Sequence, residues 1–445
     1  MAQLALGIGF AVLTCVLLRL LGANAQTGYL IAANQFVFTD WVSMEALRLL
    51  INKLVVASKF NTSWREDFEK EFPIGQTVRI KLPQRFLVRQ GLAYTPQPIN
   101  RLNTTASINI VKGVDFEYDD MEKMLKMERS LEEISEQYIE PAVAQLAQEI
   151  DSDAALFAAQ WANNIVGVLG TDPNSTTTIE QARQRLFELS GYEGTGEKLL
   201  IIPPQVSTAI VPALQNLLNP AEEIARMFKR GVLGTAMGFT WYESASLWRL
   251  TAGTQAGTNT VNGAGQTGSS LAITATAGDT YNIGDVISIA NVNQVNPMTR
   301  RFLAQIPKQF VVTAPLTAIG GGNPADVLQI SPSIFPPGSQ YQNVDNGPVN
   351  GANLTSWPGT SSPNGKSGVQ ALALADDAFA LVSGKFETPK AVEMATQTRD
   401  KETGISIRYV RAWDPVQSKM INRWDMAYGF GVLYADSECV RILCA

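Results

Sequence analysis

The side chains that could perform chemistry in this chain are few, and none of them is a histidine. The 445 residues contain no histidine and only three cysteines, Cys15, Cys439 and Cys444. The lack of histidine excludes Ser-His-Asp and Cys-His catalysis, histidine metal sites and histidine-based pH switching. No two cysteines have the C-x-x-C spacing of a zinc site. Cys439 and Cys444 are therefore interpreted as buried thiols, with a disulfide between them as the alternative.

A phosphate-binding loop is the first motif to weigh. The segment Gly365-Lys366-Ser367 has the ending of such a loop, but the pattern requires a glycine at position 360, which is a threonine. No strand is indicated before the segment, and no helix clearly starts after it. We interpret it as an exposed loop.

Two carboxylate pairs could hold a metal ion or transfer protons. They are Asp151 with Asp153, and Asp376 with Asp377. The first pair lies in a predicted helix, where nearby positions point to different faces, and the second is expected to cap or solvate a turn. The sequence thus predicts no metal, no cofactor, no small-molecule substrate and no enzymatic activity.

The most informative charge pattern lies between residues 72 and 140. Basic residues cluster in a predicted hairpin, and acidic residues follow on a predicted helix. The two groups are Arg79, Lys81, Arg85, Arg89 and Arg101, then Glu128, Glu132, Glu133 and Glu136. Pairing within one chain, or plain solvation, is one explanation, and contact between two subunits is the other.

A hairpin and an unusually long helix position these charges. Val78, Ile80 and Leu82 alternate with polar residues as in a strand, and residues 106–116 read as the return strand. From Asp119 to Trp161 there is no glycine and one proline, Pro141, while apolar residues recur in steps of three and four. A straight helix over 119–163 would be about 67 Å long. Either Pro141 bends this helix or the subunit is elongated.

A change in composition near residue 251 predicts an inserted β-domain. Residues 251–368 are rich in Gly, Ser, Thr, Asn and Pro, with short strands expected at 271–276, 285–289, 309–313 and 327–331. This pattern is typical of a small β-barrel or sandwich. A mixed pattern of helices and strands precedes the segment and resumes at residue 371, so the β-rich block is expected to interrupt another domain.

The first 33 residues differ from the rest. Residues 4–18 form an uncharged apolar run, and Ala23-Asn24-Ala25 has the spacing of a signal-peptidase site. The positively charged start of a signal peptide is missing, and the run is short for a membrane span. A secretory signal, a wrongly assigned start and an apolar arm packed on a neighbour all remain open.

The order of these features resembles the major capsid proteins of tailed phages, which have the Hong Kong 97 fold. Within that group the chain is similar to coat proteins of short-tailed phages that carry an inserted β-domain. The resemblance covers about residues 34–443. It rests on that order and on short motifs: residues 238–244 before the insertion, 284–290 and 309–312 inside it, and 375–378, 386–389, 404–408 and Tyr428-Gly429 after it.

This resemblance implies an α+β fold with defined parts. They are an apolar extension (1–33), an N-arm (34–60), an extended hairpin loop (61–118), a long spine helix with the peripheral domain (119–235), an axial domain with return strands (236–250 and 369–445) and an inserted small β-barrel domain (251–368). The implied function is a major capsid protein that forms the pentamers and hexamers of an icosahedral virion shell around double-stranded DNA. A secreted or surface-exposed binding protein is the alternative, favoured by the signal-like N-terminus.

The resemblance also implies partners and a contact. Scaffolding and portal proteins would take part in assembly in the host cytoplasm. Packaged DNA would be touched only non-specifically, because a net charge of −6 argues against binding by phosphate neutralisation. The hairpin would lie over a neighbouring subunit, so that its arginines meet acidic residues there. The inserted domain would brace folding and set assembly geometry, with a receptor or carbohydrate site as the alternative.

Overall fold

A computed structural model gives the architecture. It describes residues 43–63, 77–82, 84–89, 91–92, 94, 96–99, 103–119, 139–189, 197–215, 234–301, 305–375, 377–389, 392–400, 403–416 and 419–445. These residues form two units. The first consists of the described residues within Met1–Asn52, Val111–Ala144 and Lys385–Ala427, and the second of those within Lys53–Ile110, Gln145–Gly384 and Tyr428–Ala445.

The helices follow the apolar periodicity of the sequence. They are α1 (43–53), α2 (Glu140–Trp161), α3 (Thr176–Leu189), α4 (Pro204–Gln215) and the short α5 (Ala435–Glu438), with a 3-10 turn at Ala57–Lys59. The stripe predicted for α2 is confirmed, since Val143, Leu146, Ile150 and Ala154 are buried. Burial of one face holds the helix in place.

The long helix predicted from residue 119 is wrong at its start. Asp119 is the last residue of a strand, and the described helix begins at Glu140. Pro141 is the second residue of this described helix. Residues 120–138 of the predicted spine helix, and the predicted helix over 219–231, lie outside the described residues.

The strands are numbered in chain order. They are β1 (Thr77–Lys81), β2 (Asn103–Ser107), β3 (Ile110–Asp119), β4 (Asn164–Gly167), β5 (Lys198–Ile202), β6 (Thr235–Ala236), β7 (Phe239–Glu243), β8 (Arg249–Thr251), β9 (Thr260–Val261), β10 (Gly268–Thr274), β11 (Thr280–Tyr281), β12 (Val286–Asn293), β13 (Pro307–Val312), β14 (Leu316–Thr317), β15 (Val327–Ile334), β16 (Leu354–Ser356), β17 (Ser367–Ala375), β18 (Phe379–Gly384), β19 (Met394–Arg399), β20 (Ser406–Asp414), β21 (Lys419–Val432) and β22 (Cys439–Leu443).

The first unit contains an antiparallel β19–β20–β21 arrangement. Buried Asp425 on β21 accepts hydrogen bonds from Arg408 and from Arg423, the latter at 2.6 Å. Phe116 of β3 stacks on Trp424 with ring centroids 5.1 Å apart. The Arg408–Asp425 pair thus links β20 to β21, and the stacked rings hold β3 against β21.

A mixed sheet forms the body of the second unit. Its strands run in the order β4-β22-β17-β5-β7-β6, with β8 beside β17. The β22–β4 and β5–β7 pairs are parallel, and the other pairs with assigned register are antiparallel. Ile179 and Leu186 of α3 pack with Leu200, Phe239 and Ile442 in its core.

The inserted segment folds as a small β-barrel, one of the two forms expected from its composition. Its strands run in the order β16-β12-β13-β15-β10-β9. The order closes on itself because Thr260 of β9 pairs with Asn353, directly before β16. The four strands predicted here are confirmed as β10, β12, β13 and β15, with shifted ends. Alternating residues such as Ile287, Phe310 and Leu328 fill the barrel core.

A buried polar cluster lies at the base of this barrel. Asp285 Oδ2 accepts hydrogen bonds from the amides of Gly253 and Asn282 at 3.0 and 2.8 Å, and its Oδ1 accepts one from Trp357 Nε1 at 3.1 Å. Fully buried Arg441 of β22 donates from Nη2 to the Gly284 carbonyl at 2.9 Å. Gly253 has no room for a side chain, since a Cβ would lie 2.2 Å from the Thr280 carbonyl oxygen. We call Asp285, Trp357 and Arg441 the barrel-base cluster.

The chain enters and leaves the barrel side by side. Thr251 of β8 lies opposite Ser367 of β17, and their hydroxyls are 2.7 Å apart. The amide of Ala252 donates to the Lys366 carbonyl at 2.9 Å. The barrel therefore grows out of two adjacent strands of the mixed sheet.

Asp151 of α2 serves structure, not metal binding. Its carboxylate accepts hydrogen bonds from the amides of Val55, Val56 and Ala57 at 2.7, 3.1 and 2.8 Å. Burial raises the pKa of Asp151, an effect opposed by these three amides. Asp153 instead accepts a hydrogen bond from the Tyr428 hydroxyl. The two carboxylates thus bind separate partners.

We expect Asp151→Ala to lower the free energy of unfolding by about 2–4 kcal/mol, because three amides lose their acceptor. Urea denaturation followed by tryptophan fluorescence would measure the loss. Ser152→Ala, one residue along the same helix, is the control and should change stability by no more than about 0.5 kcal/mol. Equal stabilities for the two variants would contradict the role given to Asp151.

Candidate functional site

The segment between β1 and β2 carries the basic residues that the sequence singled out. Arg79 and Lys81 are exposed and separated by the buried Ile80 on β1, where they lie opposite Thr105 and Asn103 of β2. Residues 82–102 then form the connection, which we call the extended loop. Arg85 is half-buried and Arg89 exposed on its first limb. Strand β1 and the first limb of the loop thus carry four of the five basic residues that the sequence singled out.

Side-chain amides brace the two limbs of the extended loop. Gln97 accepts a hydrogen bond from the Leu87 amide at 2.7 Å and donates to the Leu87 carbonyl at 2.6 Å. Gln84 donates to the Pro98 carbonyl at 3.0 Å. Because these bonds satisfy backbone groups across the loop, they define its shape without a sheet ladder.

Large apolar side chains on this loop face solvent. Val88, Leu92 and Tyr94 are 95, 97 and 86 % exposed. Phe86 and Ile99 are also exposed. Single apolar residues on a surface are ordinary, but a group of them on one projecting loop marks a surface that binds another protein. The loop thus combines apolar and cationic groups, both suited to protein association.

The extended loop is attached to the inserted barrel of its own chain. Arg300 Nη2 donates to the Phe86 carbonyl at 3.4 Å and to the Gln340 carbonyl at 3.1 Å. Gln340 Nε2 donates to the Pro98 carbonyl at 3.0 Å. One barrel edge therefore holds both limbs of the loop through their main chains.

This attachment brings like charges together. The charge of Arg85 lowers the pKa of Arg300 and of Lys308, although burial is the larger cause in both cases. Lys308 is only 2 % exposed, and the charge of Arg185 also lowers its pKa. Asp436 acts in the opposite direction on Lys308. The region is therefore cationic on balance.

The predicted contact between basic and acidic groups stays a prediction. Arg101, Glu128, Glu132, Glu133 and Glu136 lie outside the described residues. Within the described part of the chain, no ion pair is formed by Arg79, Lys81 or Arg85.

Sequence reasoning missed the apolar residues of the loop and the barrel residues that hold it. Leu92 and Tyr94, apolar residues in an otherwise polar segment, were the available signal.

The remaining candidate motifs have structural roles. Gly365 and Lys366 are exposed outside the strands, as predicted, and Lys366 donates to the Ser361 carbonyl at 3.2 Å. The exposed-loop prediction is wrong for Ser367, which is half-buried and begins β17. Cys439 and Cys444 are free buried thiols, as predicted, and burial raises the pKa of each to about 12.

Asp377 accepts a hydrogen bond from Asn61, and Asp376 lies outside the described residues. None of the described helices is long and apolar enough to cross a membrane.

Comparison with known proteins identifies a family. The family model described as P22 coat protein, gene protein 5, matches residues 76–438. No curated protein sequence matches the chain.

Three solved structures illustrate the likeness in architecture. The chain is similar to a structure of Mycobacterium phage Che8 at 12 % identity, covering 87 % of this chain and 90 % of that one, with a TM-score of 0.42. The mature capsid of bacteriophage PhiM1 is 11 % identical over 83 % of this chain and 82 % of that one, with a TM-score of 0.35. A virus-like particle from Pyrococcus furiosus is 8 % identical over 91 and 98 %, with a TM-score of 0.38. Since these TM-scores lie below 0.5, the family model alone carries the assignment.

Proposed function

Because the chain belongs to the P22 coat protein family, whose model spans most of its length, we propose how this major capsid protein assembles. It is a structural component of a phage virion, has the α+β Hong Kong 97 fold and assembles with copies of itself into a shell. No finding supports the alternative of a secreted binding protein. The proposal concerns the contacts, the partners and the place of assembly.

The subunits form pentamers and hexamers of an icosahedral shell around double-stranded DNA, in the host cytoplasm, with a scaffolding and a portal protein. Packaged DNA is contacted non-specifically, and the chain has no enzymatic role. Individual contacts can be weak, because a contact of millimolar affinity contributes only about 4 kcal/mol. Closed rings in which each subunit is held on several sides are stable even so.

The extended loop is the contact that joins neighbouring subunits. The observation that supports this most is the exposure of Val88, Leu92 and Tyr94 beside Arg85 and Arg89. In an isolated subunit these apolar groups are in water, which is unfavourable, and burial on a neighbour would remove that cost. The arginines would orient the loop toward acidic residues of that neighbour.

The triple variant Val88→Ser, Leu92→Ser, Tyr94→Ser tests the role of the loop. Burying such side chains only halfway contributes about 1 kcal/mol each, so we expect a roughly hundredfold rise in the subunit concentration needed for shells. Light scattering and negative-stain electron microscopy of the purified chain would measure it. The urea unfolding midpoint should not change, because the three side chains have almost no contacts to lose.

A matched control removes as many exposed apolar groups elsewhere. Ile319, Val349 and Val416 are also exposed but lie outside the extended loop. Replacing all three with serine should leave the concentration for shell formation within a few-fold of wild type. If the loop variant forms shells as readily as this control, the loop is not the contact that joins subunits.

A further inference from the structure

The barrel edge that contacts the extended loop is built around an unusual backbone conformation. Arg300 has a φ of 56°, in the left-handed region that residues other than glycine adopt at a steric cost. A turn holds it there, because the Arg300 amide donates to the Asn296 carbonyl at 2.8 Å and the Asn296 amide donates to the Arg301 carbonyl at 3.0 Å. The turn therefore fixes the direction in which the Arg300 side chain leaves the barrel.

The same turn is fixed to helix α3. Asn296 Nδ2 donates to the carbonyl of Glu188, near the end of α3, at 2.9 Å. Asn296 Oδ1 accepts hydrogen bonds from the amides of Met298 and Thr299 at 2.9 and 3.1 Å. Because α3 packs on the mixed sheet, the position of Arg300 is set by the body of the second unit as well as by the barrel.

The Arg300 side chain carries a second cost besides its backbone. Among the described residues, its buried Nε has no hydrogen-bond partner, and an unpaired buried donor is unfavourable. Its Nη2 donates to the carbonyls of Phe86 and Gln340. Strain that persists in a folded subunit points to a function. The group that Arg300 reaches outside the barrel is the extended loop.

Neighbouring barrel residues hold both limbs of that loop. Phe86 on the first limb accepts a hydrogen bond from Arg300, and Pro98 on the second limb accepts one from the buried Gln340 at 3.0 Å. Both acceptors are main-chain carbonyls. The barrel therefore fixes the course of the loop backbone and leaves the exposed apolar side chains of the loop available for another contact.

We propose that Arg300 and Gln340 are positioning residues, which hold the extended loop in the course that it takes when it binds a second copy of this chain. This inference rests on the proposed function of the loop and adds a direct role in assembly for the inserted barrel. A flexible loop loses conformational entropy when it binds a partner. A loop that the barrel already holds loses less, so its contact with a neighbour is stronger.

Two variants of the full-length chain test the proposal. Arg300→Gly removes the bond to the first limb, and Gln340→Met removes the bond to the second limb at similar side-chain volume. In each variant, hydrogen exchange over residues 84–99 should become faster, and trypsin should cleave sooner after Arg85 and Arg89. We expect the subunit concentration needed for shells to rise about tenfold, which corresponds to ~1.4 kcal/mol.

Subunit stability separates positioning from a structural role. Glycine adopts a left-handed φ without steric cost, and this gain offsets its greater freedom in the unfolded chain. Arg300→Gly should therefore leave the urea midpoint of the isolated subunit unchanged or raise it, while assembly becomes weaker. A lower midpoint with unchanged hydrogen exchange in the loop would assign Arg300 to the stability of the barrel itself and overturn the positioning role.

Asn291→Gly is the matched control. Asn291 is an exposed residue of β12 with a φ of 61°, so the same substitution acts on a similar backbone conformation in the same barrel. Within the described residues, no hydrogen bond joins it to the extended loop. Its variant should keep the wild-type hydrogen exchange of the loop and the wild-type concentration for shells. A loss of assembly equal to that of Arg300→Gly would overturn the proposal.

Failure of this inference differs from failure of the proposed function. If Arg300→Gly and Gln340→Met form shells at the wild-type concentration while the serine variant of the loop does not, the positioning role alone is rejected. If the serine variant assembles as readily as its own control, the loop is not the contact between subunits, and the proposed function of the loop fails together with this inference.

Discussion

Subunits in which Arg85 and Arg89 are both replaced by glutamate should stay folded but form no shells. Each replacement changes the local charge by two, so any attraction to acidic residues of a neighbour becomes repulsion of similar size. Neither side chain belongs to a hydrophobic core, and both lie on a loop outside the sheets. Size-exclusion chromatography and electron microscopy would show monomers in place of shells, with an unchanged circular dichroism spectrum.

The control for this reversal is Arg183→Glu, on the exposed face of α3. Among the described residues, Arg183 forms an ion pair with Glu180 on the same helix, a surface pair of small energetic value, and lies over the Phe187 ring. It should assemble normally. High salt should partly restore shells from the double variant, because screening weakens repulsion between exposed charges. Normal shells from the double variant at low salt would reject a charged contact through the loop.

Replacing Asp285 with alanine should lower the free energy of unfolding by about 3–5 kcal/mol. The change removes a negative charge that favours the buried Arg441 guanidinium, and losses at buried charges are among the largest for single substitutions. It also removes the acceptor of two amides and of Trp357 Nε1. Urea titration of the soluble subunit would measure the effect.

Asp326→Ala is the matched control for Asp285→Ala. Asp326 is equally buried in the barrel and accepts the amides of Ile319 and Gly320 at 2.8 and 2.9 Å. Within the described residues, its carboxylate accepts hydrogen bonds from main-chain amides alone, so its loss should cost only about 1–3 kcal/mol. Equal losses for the two alanine variants would show that Arg441 and Trp357 add nothing at the barrel base.

The same carboxyl should make stability depend on pH. Burial is the main cause that raises the pKa of Asp285 from 3.8 to about 6. The free energy of folding that the protonated Asp285 carboxyl contributes is therefore fully present below the pKa of the group in the unfolded chain. This stabilisation is lost as the pH rises through about 6. Two pKa units correspond to roughly 3 kcal/mol. The stability of wild type relative to Asp285→Asn should fall by that order between pH 4 and 7.

The elements with clear periodicity could be predicted, and the junctions between them could not. The buried stripe of α2 was visible because its apolar residues repeat in steps of three and four. Asp119 was assigned to the same helix because the sequence continues there without a glycine or proline. In the structure it ends β3, where pairing with β21 outweighs local preference.

Contacts between distant residues account for what the sequence did not reveal. The motif Gly284-Asp285 was noticed, but nothing local indicates that Asp285 lies near Arg441. Likewise, Arg85 was predicted to be a contact residue, yet the effect of its charge on the pKa values of Arg300 and Lys308 depends on how the loop lies on the barrel. The charged residue types predict that the loop is basic. They do not show that barrel residues lie beside the loop, because that contact depends on the fold.

The pairing of Thr251 with Ser367 has a consequence for how much change the barrel tolerates. Loop-closure entropy grows only slowly with the number of residues enclosed, by about 0.6 kcal/mol for each doubling. With both ends fixed on adjacent strands, the enclosed stretch could lengthen, shorten or be exchanged for a hairpin at little entropic penalty to the mixed sheet. Such a replacement would be constrained only by the polar groups where the barrel joins the mixed sheet, near Arg441 of β22.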